Sequence, residues 1–188
     1  MMNYPNKRNT YQKSQISASN RGMSLEEDIN KTNEFYLLED RGNIHKKPTP
    51  ITIVKVDYPK RSAAKITEAY FKLASTTDYN GIYKGKYIDF EAKECESRTS
   101  FPFSSIHEHQ IKHLESVEKH GAIAFIIMRY VYYDKDYLIK ANEFIEYYRS
   151  CNRKSLPFAW VEEHGHEIRR TFTKPCDYLS TVDKVFDL

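Results

Sequence analysis

Residues 122–128, read as Ala-Ile-Ala-Phe-Ile-Ile-Met, form the longest uninterrupted apolar run of the chain. Seven residues cannot span a bilayer, which needs about 20. Extended to Tyr130, with Arg129 as its one charged residue, the run reads as a strongly apolar buried strand. A sheet covered on both sides by helices is the architecture that provides such a place.

The neighbouring patterns fit that sheet. Ser24-Leu-Glu-Glu27 is a capping-box pattern that opens a helix, with Leu25, Ile29, Thr32 and Phe35/Tyr36 at helical spacing toward the core. Prolines at 48 and 50 forbid a helix there, and residues 51–56 alternate as a half-buried strand. Asp78-Tyr-Asn-Gly81 is a turn signal, and a hairpin is expected through Lys84-Gly85. Residues 87–93 form a strand with Ile88, Phe90 and Ala92 on one face and Tyr87, Asp89, Glu91 and Lys93 on the other. Ser105-Ile-His-Glu108 is expected to open a helix to about Lys119, ended by Gly121. A strand near 136–139, a helix over about 142–148 and one more strand within 161–168 complete the reading. The expected fold is α/β with a central mixed sheet.

Charge is unevenly spread. Residues 1–22 hold Lys7, Arg8, Lys13 and Arg21 and no acid, so with a net charge of +3 the remainder of the chain sums to −1. A flexible basic arm rich in Asn, Ser, Gln and Thr suits a polyanion, and equally suits a solvated tail. Between 55 and 77, Lys55, Lys60, Arg61, Lys65 and Lys72 are interleaved with Tyr58, Tyr70 and Phe71. That mixture can hold phosphates and stack on bases, or it is an amphipathic core helix. Three cysteines, at 95, 151 and 176, make neither a disulfide framework nor a metal pair. No charged-then-apolar leader opens the chain, and a cytoplasmic protein with no membrane contact is expected. His109 and His113 share a helix face at zinc-compatible spacing, but with no Cys nearby in sequence they read as polar helix residues near a phosphate.

The chemistry concentrates at Asp78, Glu91 and Lys93. Two residues apart on a strand, Glu91 and Lys93 leave the same face, and Asp78 returns to them across a tight hairpin. A lone Glu-x-Lys is more often a surface ion pair of little worth. With Asp78 added, two hard oxygen ligands and the Ala92 carbonyl can hold Mg²⁺ with open positions for water and a phosphate oxygen. Lys93 can hold and help deprotonate the attacking water, or stabilise charge on the phosphate. Asp89 shares this face, and its part as a spare ligand or a partner of one stays open.

Asp-x(12)-Glu-x-Lys resembles the PD-(D/E)XK nuclease core. The surrounding wording is more specific: Asn20-Arg-Gly-Met23, Leu25-Glu-Glu-Asp28, His45-Lys-Lys-Pro-Thr-Pro50, Val56-Asp-Tyr-Pro-Lys-Arg-Ser62, Glu68-Ala-Tyr-Phe71 and Ser75-Thr-Thr-Asp-Tyr-Asn-Gly81. Tyr83-Lys-Gly-Lys-Tyr-Ile-Asp-Phe-Glu-Ala-Lys93, Phe101-Pro102 and His107-Glu-His-Gln110 follow in order. Together they resemble the RecU-type Holliday junction resolvases, from about residue 3 to about 170, most strongly over 45–111 and thinly after 131.

The resemblance implies a restriction-endonuclease-like core over 23–188 with an inserted stalk at about 57–77, behind a flexible arm at 1–22. It implies a homodimer that cuts four-way DNA junctions by paired symmetric nicks in recombination and repair, with Mg²⁺ or Mn²⁺ as its substitute. Asp78 and Glu91 would be metal ligands, Lys93 the catalytic lysine, Gln110 an orienting residue, and Glu26 a contact through the metal's water. The stalk's Lys60, Arg61, Lys65, Tyr70, Phe71 and Lys72 would meet the junction. Arg21 would bind DNA, with a further link to the RecA recombinase. A non-catalytic junction-binding protein that modulates the recombinase is the alternative, but a relic would be expected to have lost one of the three site residues. A restriction-type nuclease would share the core and lack the stalk.

Overall fold

The computed structural model describes residues 24–72 and 76–188. Ser24 caps α1 (Leu25–Leu38), its hydroxyl accepting from the Glu27 N–H while the Glu27 carboxylate accepts from the Ser24 N–H. Leu25, Ile29, Thr32 and Tyr36 are buried, as the spacing predicts. Among the described residues, ten strands and four further helices follow. They are β1 (Asn43–Lys46), β2 (Ile51–Asp57), β3 (Lys65–Phe71), β4 (Tyr79–Tyr83), β5 (Lys86–Cys95) and β6 (Ser100–Pro102), then α2 (Glu108–Lys119), β7 (Ile123–Tyr130) and β8 (Lys135–Lys140). The last elements are α3 (Ala141–Ser150), β9 (Ser155–Pro157), α4 (Phe158–His164), β10 (His166–Glu167) and α5 (Tyr178–Val185).

The main sheet has the order β1-β4-β5-β7-β8-β10. Only β5 and β7 run parallel, joined by the α2 crossover, and the other pairs are antiparallel. This is the expected mixed sheet flanked by helices. Every residue of β7 is buried, Arg129 included. Ile123, Phe125 and Ile127 meet α1 and α5 through Ile29, Tyr36, Leu179 and Val182. Ala124, Ile126 and Met128 meet α2, α3 and α4 through Leu114, Phe144 and Val161. No helix among the described residues is long and apolar enough to cross a membrane.

The structure departs from the sequence reading in four places. Residues 51–56 do form a strand, but every residue of β2 is exposed and its partner is β3, not the main sheet. The projecting unit is therefore a two-stranded ribbon that starts at Ile51 instead of 57, and it excludes the core-helix alternative for this stretch. Asp78-Tyr-Asn-Gly81 enters β4 instead of turning, because β1, absent from the sequence reading, supplies a ladder there. α2 is capped at His107, whose N–H donates to Gln110 Oε1 at 3.0 Å, and not at Ser105. The first half of 161–168 is the end of α4, and the strand there is only the two-residue β10. Residues 1–22, with Arg21, lie outside the described residues.

Candidate active site

The β4–β5 hairpin carries the site. Its two-residue turn places Lys84 at φ 48° and Gly85 at φ 75°, the left-handed pair of a type I′ turn. Tyr79 pairs with Phe90, so Asp78 stands opposite Glu91, one position before the ladder begins. Beyond that point β5 continues without β4, and the Ala92 N–H donates to Asp78 Oδ2 at 3.1 Å. A strand residue sends its N–H and C=O to the same edge. The Ala92 carbonyl therefore faces the Asp78 side.

Glu91 is fully buried. The face it shares with Lys93 is not the exposed one that a surface ion pair would need, because α2 covers it. Glu91 Oε1 accepts from Gln110 Nε2 at 2.5 Å and lies 2.6 Å from Lys93 Nζ. Glu91 Oε2 is buried with no hydrogen-bond partner. Burial, then the neighbouring Asp78 carboxylate, push the Glu91 carboxyl up to about 8, against the pull of Lys93. Two carboxylates forced together beside an ammonium, with one oxygen unsatisfied, are arranged for a cation. Among the described residues no cluster of three or more His, Cys, Asp and Glu side chains suits a metal. The donors the site offers are two carboxylates and a backbone carbonyl, a set that would fit an ion keeping several waters.

Of the other sequence candidates, Gln110 is buried and joins the site through Glu91. Glu26 stands on α1, where its backbone carbonyl accepts from the Tyr79 hydroxyl at 3.3 Å and its carboxylate is paired with Lys46. Lys60 and Arg61 stand at the tip of the β2–β3 ribbon, with Lys65 opposite Asp57 just below it. Tyr70, Phe71 and Lys72 lie at its root, where Phe71 pairs with Ile51 and is 83% exposed. Six residues of strand separate Lys65 from Phe71, about 20 Å. The root itself adjoins the site, since the Lys47 N–H donates to the Asp78 carbonyl at 2.7 Å and the Lys72 N–H to the Pro50 carbonyl at 2.9 Å.

Sequence reasoning missed Lys47, Thr77 and Tyr87, and left His113 as a polar helix residue. All four surround Asp89. The available signal was the strand alternation: it puts Asp89 on the Glu91 face, and a carboxylate buried there requires donors.

The family model for recombination protein U, RecU, matches residues 20–184. The Holliday junction resolvase RecU of Geobacillus sp. (strain WCH70) is 54% identical over 175 residues, covering 92% of this chain and 87% of that protein. The protein of the same name from Geobacillus kaustophilus is 50% identical, over 96% of this chain and 92% of its own. That from Oceanobacillus iheyensis is 50% identical, over 98% and 100%. Among solved structures, the Holliday junction resolvase Hjc of Archaeoglobus fulgidus aligns with a TM-score of 0.42 and 10% identity over 71% of this chain and 88% of that one, a likeness too loose to bear on the site. With a matching model across most of its length and relatives half identical over nearly all of it, the chain belongs to the RecU family.

Proposed function

We propose that the protein is an endonuclease that resolves four-way DNA junctions by paired symmetric nicks during recombination and repair. The observation that carries the chemistry is the buried, unpartnered Glu91 Oε2 beside Asp78 and Lys93. Leaving such an oxygen without a partner costs about 1–3 kcal/mol or more, which a bound cation recovers. Asp78, Glu91 and the Ala92 carbonyl would hold Mg²⁺, with Mn²⁺ as a substitute. When bound, the ion supplies Lewis acidity toward the phosphate and a more acidic water. Lys93 Nζ, with a fifth of its side chain exposed, holds the attacking water or the developing phosphate charge. Gln110 keeps Oε1 of Glu91 oriented. A role for Glu26 in the metal's water shell requires it to exchange its bond to Lys46.

Junction selectivity is assigned to the ribbon, which leaves and re-enters the core beside Asp78. Its tip cations Lys60, Arg61 and Lys65 suit phosphates, and Tyr70, Phe71 and Lys72 suit the crossover bases next to the cutting centre. Arg21 and the basic arm add sequence-independent affinity. Paired nicks need two such centres, so the working form is a homodimer in the cytoplasm; contact with the RecA recombinase rests on the family resemblance through Arg21. In the test, Asp78→Ala and Glu91→Ala lower Mg²⁺-dependent junction cleavage by about 10³-fold or more while junction binding in EDTA stays within about twofold. Normal cutting by both variants would remove the proposed metal site.

A further inference from the structure

Asp89 sits two residues before Glu91 on the same face of β5, about 7 Å along the strand. It is fully buried, and it is no spare ligand, because both oxygens are taken. Oδ1 accepts from the Thr77 hydroxyl. Oδ2 accepts from Lys47 Nζ at 2.8 Å and the Tyr87 hydroxyl at 2.8 Å, and lies 3.2 Å from His113 Nε2.

Two of these partners flank Asp78. Thr77 precedes it in the chain, and Lys47 donates its backbone N–H to the Asp78 carbonyl at 2.7 Å. Lys47 Nζ also bonds the Thr77 hydroxyl at 2.8 Å, which closes a ring of Asp89, Thr77 and Lys47. Asp78 needs such a hold. It stands before the first ladder pair of β4, at the foot of an exposed ribbon, and its carboxylate is pressed toward a second one.

We infer that Asp89 is a positioning residue: through Thr77 and Lys47 it fixes the backbone of Asp78 against Glu91, and so sets the affinity of the carboxylate pair for a divalent cation. Hydrogen-bonded neighbours of metal ligands are typically worth 10–100-fold in affinity. This inference rests on the metal reading of the Asp78–Glu91 pair.

The test measures Mn²⁺ binding to the full-length protein without DNA, by calorimetry, in wild type, Glu91→Ala, Asp89→Ala, Thr77→Val and Thr77→Ser. Junction binding in EDTA and melting temperature are followed in parallel. The expected result is about a 10–100-fold loss of Mn²⁺ affinity in Asp89→Ala and Thr77→Val, near-wild-type affinity in Thr77→Ser, which keeps the hydroxyl, and unchanged junction binding. Thr77→Val keeps the side-chain shape, so it decides the matter if Asp89→Ala does not fold. If Glu91→Ala abolishes Mn²⁺ binding while Thr77→Val and Asp89→Ala bind as wild type with only a lowered melting temperature, Asp89 is structural and the inference is overturned. If Glu91→Ala leaves Mn²⁺ binding intact, the metal reading itself fails, and this inference with it.

Discussion

Glu91 is the residue at which folding and chemistry pull apart. Its ionised form is disfavoured by burial and by Asp78 and is favoured by Lys93, and the balance leaves the carboxyl at about 8. A carboxyl raised from its ordinary value holds an extra proton in the folded state between roughly 4.5 and 8. Its contribution to stability therefore falls as pH rises through that window and is flat above it. Glu91→Gln removes the titration while keeping the shape. In metal-free buffer at pH 8.5 its melting temperature should exceed wild type by roughly 3–6 °C, with the gap closing by pH 5. Millimolar Mg²⁺ at pH 8.5 should raise wild type and leave the variant unmoved. A gap of constant size across the pH range would mean that Glu91 is not the strained group. At this scale much was legible: the Asp78, Glu91 and Lys93 spacing named the three groups, alternation put Glu91 and Lys93 on one face, and the hairpin brought Asp78 back to them. The burial of Glu91 was not legible, since nothing in Glu-x-Lys says that α2 lies over it.

Among the elements, β4 turns on one glycine. A Cβ at Gly81 would lie 2.2 Å from the Asn43 carbonyl oxygen and 2.5 Å from the Ile44 Cα, both backbone atoms of β1. Gly81→Ala should therefore cost several kcal/mol, on the order of 3–5, and amide exchange should quicken first at the β1–β4 ladder. Protection unchanged there would contradict the close approach. The sequence shows Asn-Gly and invites a turn, because a glycine demanded by a neighbouring backbone looks the same as one demanded by a positive φ. The ribbon misleads for a related reason. Alternation in β2 suggests one buried face, yet Ile51, Ile53, Val54 and Val56 are all 43% exposed or more, because among the described residues β3 alone pairs with them. Such exposed apolar strands have a use only against something else. Phe71→Ala should leave stability within about 0.5 kcal/mol and weaken binding to a four-way junction by about tenfold, the worth of one stacked base, with duplex binding almost untouched. Equal losses on junction and duplex would argue against a wedge.

The whole molecule is closed by its C-terminal third, the part where the family wording thins. Asp136 on β8 accepts from Arg129 at 2.7 Å and 2.9 Å and from Arg170 at 2.8 Å and 2.9 Å, and Arg129 also reaches Asp28 of α1 at 2.7 Å. Burial pushes the Asp136 carboxyl up, but the two guanidinium groups outweigh it and hold it below its ordinary value. Asp177 accepts from Tyr36 at 2.7 Å, and Asp183 from Tyr83 at 2.8 Å and Lys84 at 2.8 Å, tying α5 to α1 and the β4–β5 hairpin. Arg129→Ala leaves two buried carboxylates short of a partner and should cost about 3–5 kcal/mol. Its thermal unfolding should fall well below wild type without any change in the metal affinity of the folded protein. A variant of near-wild-type stability would show that the cluster does not hold the C-terminal segment. These partners lie up to 141 residues apart, and no local pattern announces pairs at that separation; periodicity finds faces, not who meets them.

The most direct measurement maps the cuts on a labelled four-way junction and on linear duplex of the same arm sequences, with Mg²⁺ or EDTA, for wild type and Asp78→Ala. The account predicts paired, symmetric nicks on the junction alone, with Mg²⁺ and wild type only. Equal cutting of both substrates would leave the Asp78–Glu91–Lys93 centre standing and remove the ribbon's role, and tight junction binding with no cut under any condition would contradict the account at its centre.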